Sequence, residues 1–189
     1  MRYDPDKHHR RTIRLRGWDY TQTGAYFITL CVQNRECLFG DVINGEMWLN
    51  DFGEIVLDEW HRTADVRCEI TLDAFVVMPN HVHGIIVINN ADGALNHGHC
   101  ITVGAARRVA PIATNRLVPR SIGAIIGQFK SISTKRINAQ CGVYGISTWQ
   151  RDYYEHIISN GGELNRIRKY IMDNPRHWKS DRENLGFHS

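Results

Sequence analysis

Hydrophobic positions along the chain fall into strand-like runs and helix-like stripes. Aromatic and β-branched residues predict a strand over residues 25–32, and two apolar runs predict strands over residues 70–78 and 81–88. Only Pro79 and Asn80 separate the last two runs, which predicts a tight turn between antiparallel strands. A fourth strand is predicted over residues 149–159.

Three segments show the spacing of amphipathic helices instead. The first begins at Asn50 or Asp51, either of which can cap a helix, and the second begins at Ser121. The third spans about residues 162–174, with Gly161 and Gly162 at its beginning. Their apolar stripes consist of Phe52, Ile55, Val56 and Trp60 in the first, Ile122, Ile125, Ile126, Phe129, Ile132 and Ile137 in the second, and Leu164, Ile167 and Ile171 in the third.

The order of these elements predicts an α+β fold. It reads βαββαβ followed by a C-terminal helix, which fits a ferredoxin-like or RRM-like antiparallel sheet with helices on one face. We expect one domain over residues 1–189, with a basic N-terminal arm (1–20), a long basic loop (about 89–120) and the last helix (about 162–174). A hairpin around Asn44-Gly45 is expected within residues 34–49.

Composition is that of an ordinary globular protein. The 189 residues are 42% hydrophobic and 23% charged, and no apolar run approaches the length of a membrane span or of a signal-peptide core. The five cysteines are scattered without a CxxC pair, which is typical of a reducing compartment. We therefore expect a cytoplasmic protein that does not associate with a membrane.

The distribution of charge is more informative than the net value of +3. Residues 93–151 contain no Asp or Glu, whereas residues 41–92 are rich in acids. Such a polarised chain is expected to present a positive surface to a polyanion, and phosphate binding is the favoured interpretation over an ordinary solvated surface. The cations expected to contact the phosphates of such a partner are Arg10, Arg11, Arg14, Arg16, Lys130, Lys135 and Arg136.

Two histidines begin the predicted strand 81–88. Side chains alternate between the faces of a strand, so His81 and His83 must point to the same face. Two neutral imidazoles close together on a rigid element make half of a divalent-metal site. The alternative is that the two histidines occur together by chance and bind no metal. Further metal ligands elsewhere in the chain would argue against that alternative.

The last predicted helix offers that second half. Tyr170 and Asn174 are four residues apart, so they lie on one face of the helix, at the border of its apolar stripe. Docking of that stripe on the sheet would aim the Tyr170 hydroxyl and the Asn174 amide at the sheet surface, where Asn174 can add an oxygen ligand. Pro175 ends the helix there. A tyrosine merely packed beside a core stripe is the alternative.

This combination of an HxH pair and a helix carrying a tyrosine and an amide resembles the HUH superfamily of single-strand DNA nucleases. The match is closer to its REP-associated tyrosine transposases, and residues 10–15, 24–29, 78–83, 127–131 and 149–156 also resemble that family. The resemblance covers about residues 8–178. A tyrosine that follows the histidines in the chain argues against the conjugative relaxases.

The resemblance implies a metal-dependent transposase that cleaves and rejoins single-stranded DNA through a covalent 5′-phosphotyrosine intermediate. Tyr170 would be the nucleophile, and His81, His83 and Asn174 would hold Mg²⁺ or Mn²⁺. The implied partner is single-stranded DNA that forms hairpins at short palindromic repeats. Tyr154 is the alternative nucleophile, and Tyr153 or Tyr154 could instead stack on a base.

Two other functions are compatible with parts of the sequence. An RRM-like module could bind nucleic acid without catalysis, but it would carry exposed aromatic residues on its central strands, where this chain has histidines. A hydrolase of small phosphoesters would not need the polarised basic surface. The sequence is compatible with a monomer whose Tyr170 acts in its own site and with a homodimer that exchanges the tyrosine helix.

Overall fold

The computed structural model describes residues 19–89 and 119–184. Most of the predicted N-terminal arm and of the predicted long loop lies outside these ranges. The elements are β1 (Gly24–Cys31), β2 (Gly40–Ile43), β3 (Glu46–Leu49), α1 (Asp51–Asp65), β4 (Ile70–Met78), β5 (His81–Ile88), α2 (Ile122–Gln140), β6 (Tyr154–Ile158) and α3 (Gly161–Asp173).

Four strands form one antiparallel sheet in the order β4-β5-β1-β6. Strands β2 and β3 form a separate two-stranded hairpin that turns at Asn44 and Gly45, both of which have positive φ. Without that hairpin the element order is β1-α1-β4-β5-α2-β6, with β1 and β5 at the centre. The predicted α+β fold of ferredoxin-like type is therefore confirmed.

Helices cover both faces of this sheet. Alternate residues of β1 and β5, among them Ile28 and Ile86, are buried in the main core with Trp60 of α1 and Phe129 of α2. The opposite face carries a smaller apolar cluster of Phe27, Ile85 and Ile171, with Leu164 and Ile167 packed against it. Helices α1 and α2 thus share one face, and α3 lies on the other.

Side-chain caps define where the helices begin. The Asn50 side chain accepts hydrogen bonds from the backbone N–H groups of Phe52 and Gly53, and Ser121 accepts one from Ala124. Asn160 caps α3 in the same way. These bonds satisfy N–H groups that have no partner inside the helix. No helix within the two described ranges is both long and apolar enough to cross a membrane.

Strand β6 is shorter than the predicted segment 149–159. Trp149 makes only an isolated bridge to Val32, and regular pairing begins at Tyr154. The reason lies in α2, where the Lys130 ammonium donates hydrogen bonds to the carbonyl oxygens of Gln150 and Arg151. Those carbonyl oxygens point to the helix layer and are not paired with β1, so the strand begins only after them.

Gly84 allows α1 to approach the sheet directly beneath the histidine pair. A Cβ atom at Gly84 would lie 2.6 Å from the Trp60 ring and 2.9 Å from the Phe75 ring. These two rings stack with centroids 4.2 Å apart and an interplanar angle of 8°. A residue with any side chain at this position would force the stacked rings apart.

We predict that Gly84→Ala lowers the free energy of unfolding by about 1–3 kcal/mol, because overpacking displaces well-packed rings. Urea unfolding of the purified variant would measure the change. Gly161→Ala is the matched control, since a Cβ at Gly161 meets no atom within 4 Å. Equal stability of the two variants would contradict this packing role for Gly84.

Candidate active site

His81 and His83 lie side by side on the face of the sheet that α3 covers. In the β1–β5 register they pair with Cys31 and Thr29, and both imidazoles are almost fully buried. Their Nε2 atoms are 3.1 Å apart. Two nitrogen lone pairs at that distance would repel each other, so a shared proton or a bound cation is needed between them.

Hydrogen bonds to the Nδ1 atoms orient both rings. Asn80 donates its side-chain N–H groups to the carbonyl oxygens of Arg35 and Glu183, which identifies its Oδ1 as the atom 2.8 Å from His81 Nδ1. His81 must therefore donate from Nδ1 and carry its lone pair on Nε2. The Thr29 hydroxyl lies 2.8 Å from His83 Nδ1 and can orient that ring in the same way.

The electrostatic environment keeps both imidazoles neutral. Burial lowers the pKa of His81 to about 3, with a smaller contribution from the positive charge of Arg35. Burial also lowers the pKa of His83 to about 3, and the neighbouring His81 adds to that effect. Neutral imidazoles are the form that binds a metal ion.

Asp181 completes a group of possible metal ligands. Ligand atoms of His81, His83 and Asp181 all lie within 4.8 Å of one another. Asp181 follows the 3-10 segment Asn174–Ser180 that continues from α3. Asp181 has no signal in the sequence, because an irregular segment has no periodicity that would place its side chains on a given face.

Tyr170 reaches the same group from α3. Its hydroxyl lies 3.2 Å from His83 Nε2, and its ring meets the Phe27 ring edge-on at 6.1 Å. Burial raises the pKa of the phenol, the charge of Asp181 raises it further, and a hydrogen bond with the Asn174 side chain acts in the opposite direction. Helix α3 thus brings Tyr170 to the histidine pair.

Asn174 lies at the end of α3 and is almost fully buried. Its Oδ1 atom is buried and has no hydrogen-bond partner among the described residues. Leaving a buried acceptor without a partner is costly, whereas an amide oxygen is a suitable ligand for Mg²⁺ or Mn²⁺. Asn174, His83 and Asp181 line the same cleft. These donors fit a divalent cation.

An ion pair fixes α3 on the sheet beside this group. Arg168 donates from Nη2 and Nε to the Asp73 carboxylate at 2.6 and 2.9 Å, and this contact lowers the pKa of Asp73. The β4–β5 pairing shifts register between Leu72 and Phe75, so Asp73 lies in a β-bulge. The bulge directs Asp73 toward the helix that carries Tyr170.

The residues predicted to bind DNA are distributed differently. Arg10, Arg11, Arg14 and Arg16 lie outside the described residues. Arg136 forms ion pairs with Asp58 and Glu59 in the helix layer, on the other side of the sheet from the histidines. The Lys130 ammonium is bound to backbone carbonyls, and burial lowers its pKa. The Lys135 side chain is exposed.

Other basic side chains lie around the candidate site itself. A cleft of about 710 Å³ opens beside Tyr170, and its walls include Arg166, Lys169, His177 and Arg182. These residues lie outside the acid-free stretch 93–151, so the charge distribution along the sequence does not point to them. The signal that could have found Arg166 and Lys169 is their position on the predicted tyrosine helix, where Arg166 lies four residues and Lys169 one residue before Tyr170.

The fold is that of a tyrosine transposase. The structure of a REP-associated tyrosine transposase bound to a REP hairpin superposes with a TM-score of 0.54, covering 87% of this chain and 73% of that one at 18% identity. At so low an identity the likeness establishes a shared fold. The expected transposase-like fold is thus confirmed, whereas membership of the REP-associated family stays a prediction.

Sequence comparison identifies the family of the chain more closely. A protein from Haemophilus influenzae, described as an uncharacterized protein, is 37% identical over 181 residues, which make up 95% of this chain and 96% of the relative. This chain belongs to the same family as that protein. No protein-family model matches the chain.

The buried histidines should make stability depend on pH in the metal-free protein. Their pKa values are about 3 when folded and 6.5 ordinarily, so the unfolded chain binds more protons between these values. The free energy of unfolding should therefore fall with falling pH in this window, by up to about 2.7 kcal/mol per pH unit for the pair.

Urea unfolding in the presence of a chelator, at a series of pH values, would measure this slope. The double variant His81→Gln/His83→Gln removes both titrating groups and should show a shallower dependence, while all paired carboxylates stay in place. Identical slopes for the variant and the natural sequence would disprove the assignment of two neutral buried imidazoles.

Proposed function

We propose that this protein is a metal-dependent enzyme that cleaves and rejoins single-stranded DNA through a covalent bond between Tyr170 and a 5′-phosphate. The observation that carries this proposal is the Tyr170 hydroxyl, 3.2 Å from a neutral histidine that belongs to a group of possible metal ligands. A phenol beside such a group, in a cleft whose walls include Arg166, Lys169 and Arg182, is arranged to react with a phosphodiester.

The residues that would hold the cation are His81, His83, Asp181 and Asn174. Bound Mg²⁺ or Mn²⁺ would neutralise charge that develops on the non-bridging phosphate oxygens. Asn80 and Thr29, which lie within hydrogen-bond distance of the two Nδ1 atoms, would hold the imidazole rings in place for the ion. Two imidazoles, one carboxylate and one amide leave room for phosphate oxygens among the ligands.

Tyr170 is the group that would change covalently. Its oxygen forms a bond to phosphorus, the bond from phosphorus to the 3′ oxygen breaks, and the phenol loses a proton while the leaving 3′ oxygen gains one. The product ester retains the energy of the broken bond, so a free 3′-hydroxyl can attack it and rejoin DNA without ATP. A hydrolase that uses water would lose this capacity.

Two observations favour hairpin-forming single strands as the substrate. The histidines are buried beneath the cleft, and a flexible strand can bring a phosphate to such a recessed group more readily than a stiff duplex. The solved transposase that shares this fold is bound to a REP hairpin. Arg166, Lys169 and Arg182 on the cleft wall would contact phosphates next to the scissile one.

A noncatalytic RRM-like module fits the structure less well. Such a module needs aromatic rings that are free to stack on bases from the two central strands. Here the aromatic residue of β1 on the relevant face, Phe27, is covered by Tyr170 and Tyr154, and β5 presents the histidines. Tyr154 itself lies on the edge strand β6.

We predict that Tyr170→Phe abolishes the covalent protein–DNA adduct while leaving binding of single-stranded DNA nearly unchanged, since only the attacking oxygen is lost. A denaturing gel with labelled hairpin DNA detects the adduct, and a filter or anisotropy assay measures binding. Tyr154→Phe retains the Tyr170 nucleophile and should still form the adduct. An adduct that disappears in the Tyr154 variant and persists in the Tyr170 variant would reverse the assignment.

We further predict that adduct formation requires Mg²⁺ or Mn²⁺ and that His81→Ala, His83→Ala and Asp181→Asn each abolish or strongly reduce it. Asn174→Ala should have a milder effect, because water can replace a neutral oxygen ligand. Asp173→Asn is the matched control, as Asp173 lines the cleft without belonging to the ligand group. Full activity in excess chelator would refute metal dependence.

A further inference from the structure

Two adjacent tyrosines near the start of β6 have different environments. The Tyr153 ring packs against the main core on the side of α1 and α2. Tyr154 is 43% exposed and lines the cleft on the opposite face, together with Tyr170. The alternation of the strand therefore leaves only Tyr154 available to a ligand in that cleft.

Tyr154 lies at a defined position relative to the histidines. It pairs with Thr29 in the β1–β6 register, and Thr29 pairs with His83 in the β1–β5 register. The three side chains thus form one row across the sheet on a single face. Two strand spacings separate Tyr154 from His83, roughly 10 Å, so a nucleotide next to a phosphate held at the histidines can reach the Tyr154 ring.

Phe27 forms the floor between the two exposed phenols of the cleft. Its ring lies edge-on to Tyr154 and to Tyr170, with centroids 6.1 Å apart in each case, and it stacks on His83 at 5.5 Å. These contacts fix the tyrosine rings at their bases and leave their outer faces toward the cleft. The cleft then has the proposed nucleophile Tyr170 on one side and the flat ring of Tyr154 on the other.

Basic side chains elsewhere in the cleft indicate which kind of ligand the aromatic surface would bind. Arg166 and Lys169 of α3 line the same cleft and suit a phosphate backbone. A flat, uncharged group attached to that backbone would meet Tyr154, and an unpaired nucleobase is such a group. A paired base has no free face, because its neighbours in the duplex cover both sides.

We propose that Tyr154 is a stacking platform for the unpaired base of a nucleotide next to the scissile phosphate. The stacked base would hold that phosphate in line with the Tyr170 oxygen, so Tyr154 acts as a positioning residue. This inference rests on the proposed function and adds the nucleotide that the site must bind in single-stranded form.

Binding by the full chain in the presence of a chelator tests the proposal without cleavage. The probe is a DNA hairpin with a single-stranded oligothymidine flank, because stacking tolerates any base. Tyr154→Ala should bind this probe about 5- to 150-fold more weakly, the range expected for loss of one base–aromatic stack, and Tyr154→Phe should stay within about twofold. Tyr144→Ala is the control, since Tyr144 is 93% exposed and does not line the cleft.

Abasic nucleotides introduced one at a time along the flank locate the contact. At one position the abasic substitution should weaken binding by the natural sequence and cause no further loss in Tyr154→Ala, since the stack is already absent. At other positions the losses should be additive. Additive losses at every position, or unchanged binding by Tyr154→Ala, would overturn the proposal.

A fluorescent base provides a readout that needs no alanine variant. 2-Aminopurine at the located position should be quenched on binding to the natural sequence and remain bright with Tyr154→Leu. Equal quenching in both proteins would exclude stacking on this ring. If the covalent adduct at Tyr170 forms and Tyr154→Ala binds the probe as the natural sequence does, only this inference is wrong. If Tyr154→Ala weakens binding and no adduct forms, only the proposed cleavage is wrong.

Discussion

The antiparallel register between β1 and β5 is the constraint on which the site depends. It places Thr29 opposite His83 and leaves alternate residues of both strands, such as Ile28 and Ile86, for the main core. Burial of those apolar residues stabilises the pairing, and a slip by one residue would turn both histidines toward α1 and α2. The same hydrophobic burial that holds the sheet together therefore orients the imidazoles.

The tyrosine helix depends on a second, weaker set of contacts. Leu164, Ile167 and Ile171 pack α3 against the small apolar cluster, where the Tyr170 ring also meets Phe27. The Arg168–Asp73 ion pair at the bulge fixes the position of the helix along the sheet. A helix held by few apolar contacts is more readily displaced than one in the main core. The candidate site thus combines a histidine pair on the rigid sheet with Tyr170 on a more loosely attached helix.

The elements of this fold were predictable because local signals mark them. Strand β5 has its predicted bounds, since a Pro-Asn turn precedes it and apolar residues continue to its end, and α2 starts after the predicted cap Ser121. Asp181 was not predictable, because its place depends on how a 3-10 segment folds back. The charge distribution along the sequence also could not show that Arg136 forms ion pairs. Its partners Asp58 and Glu59 lie far from it in the chain, in the acid-rich stretch 41–92.

The order of these groups along the chain affects when the protein can become reactive. All strands of the sheet, with the histidine pair, precede Tyr170 and Asp181 in sequence. During synthesis the sheet can therefore assemble before the tyrosine helix has left the ribosome. A nascent chain at that stage has a folded scaffold and no nucleophile, so in the proposed activity it is unable to break a DNA strand.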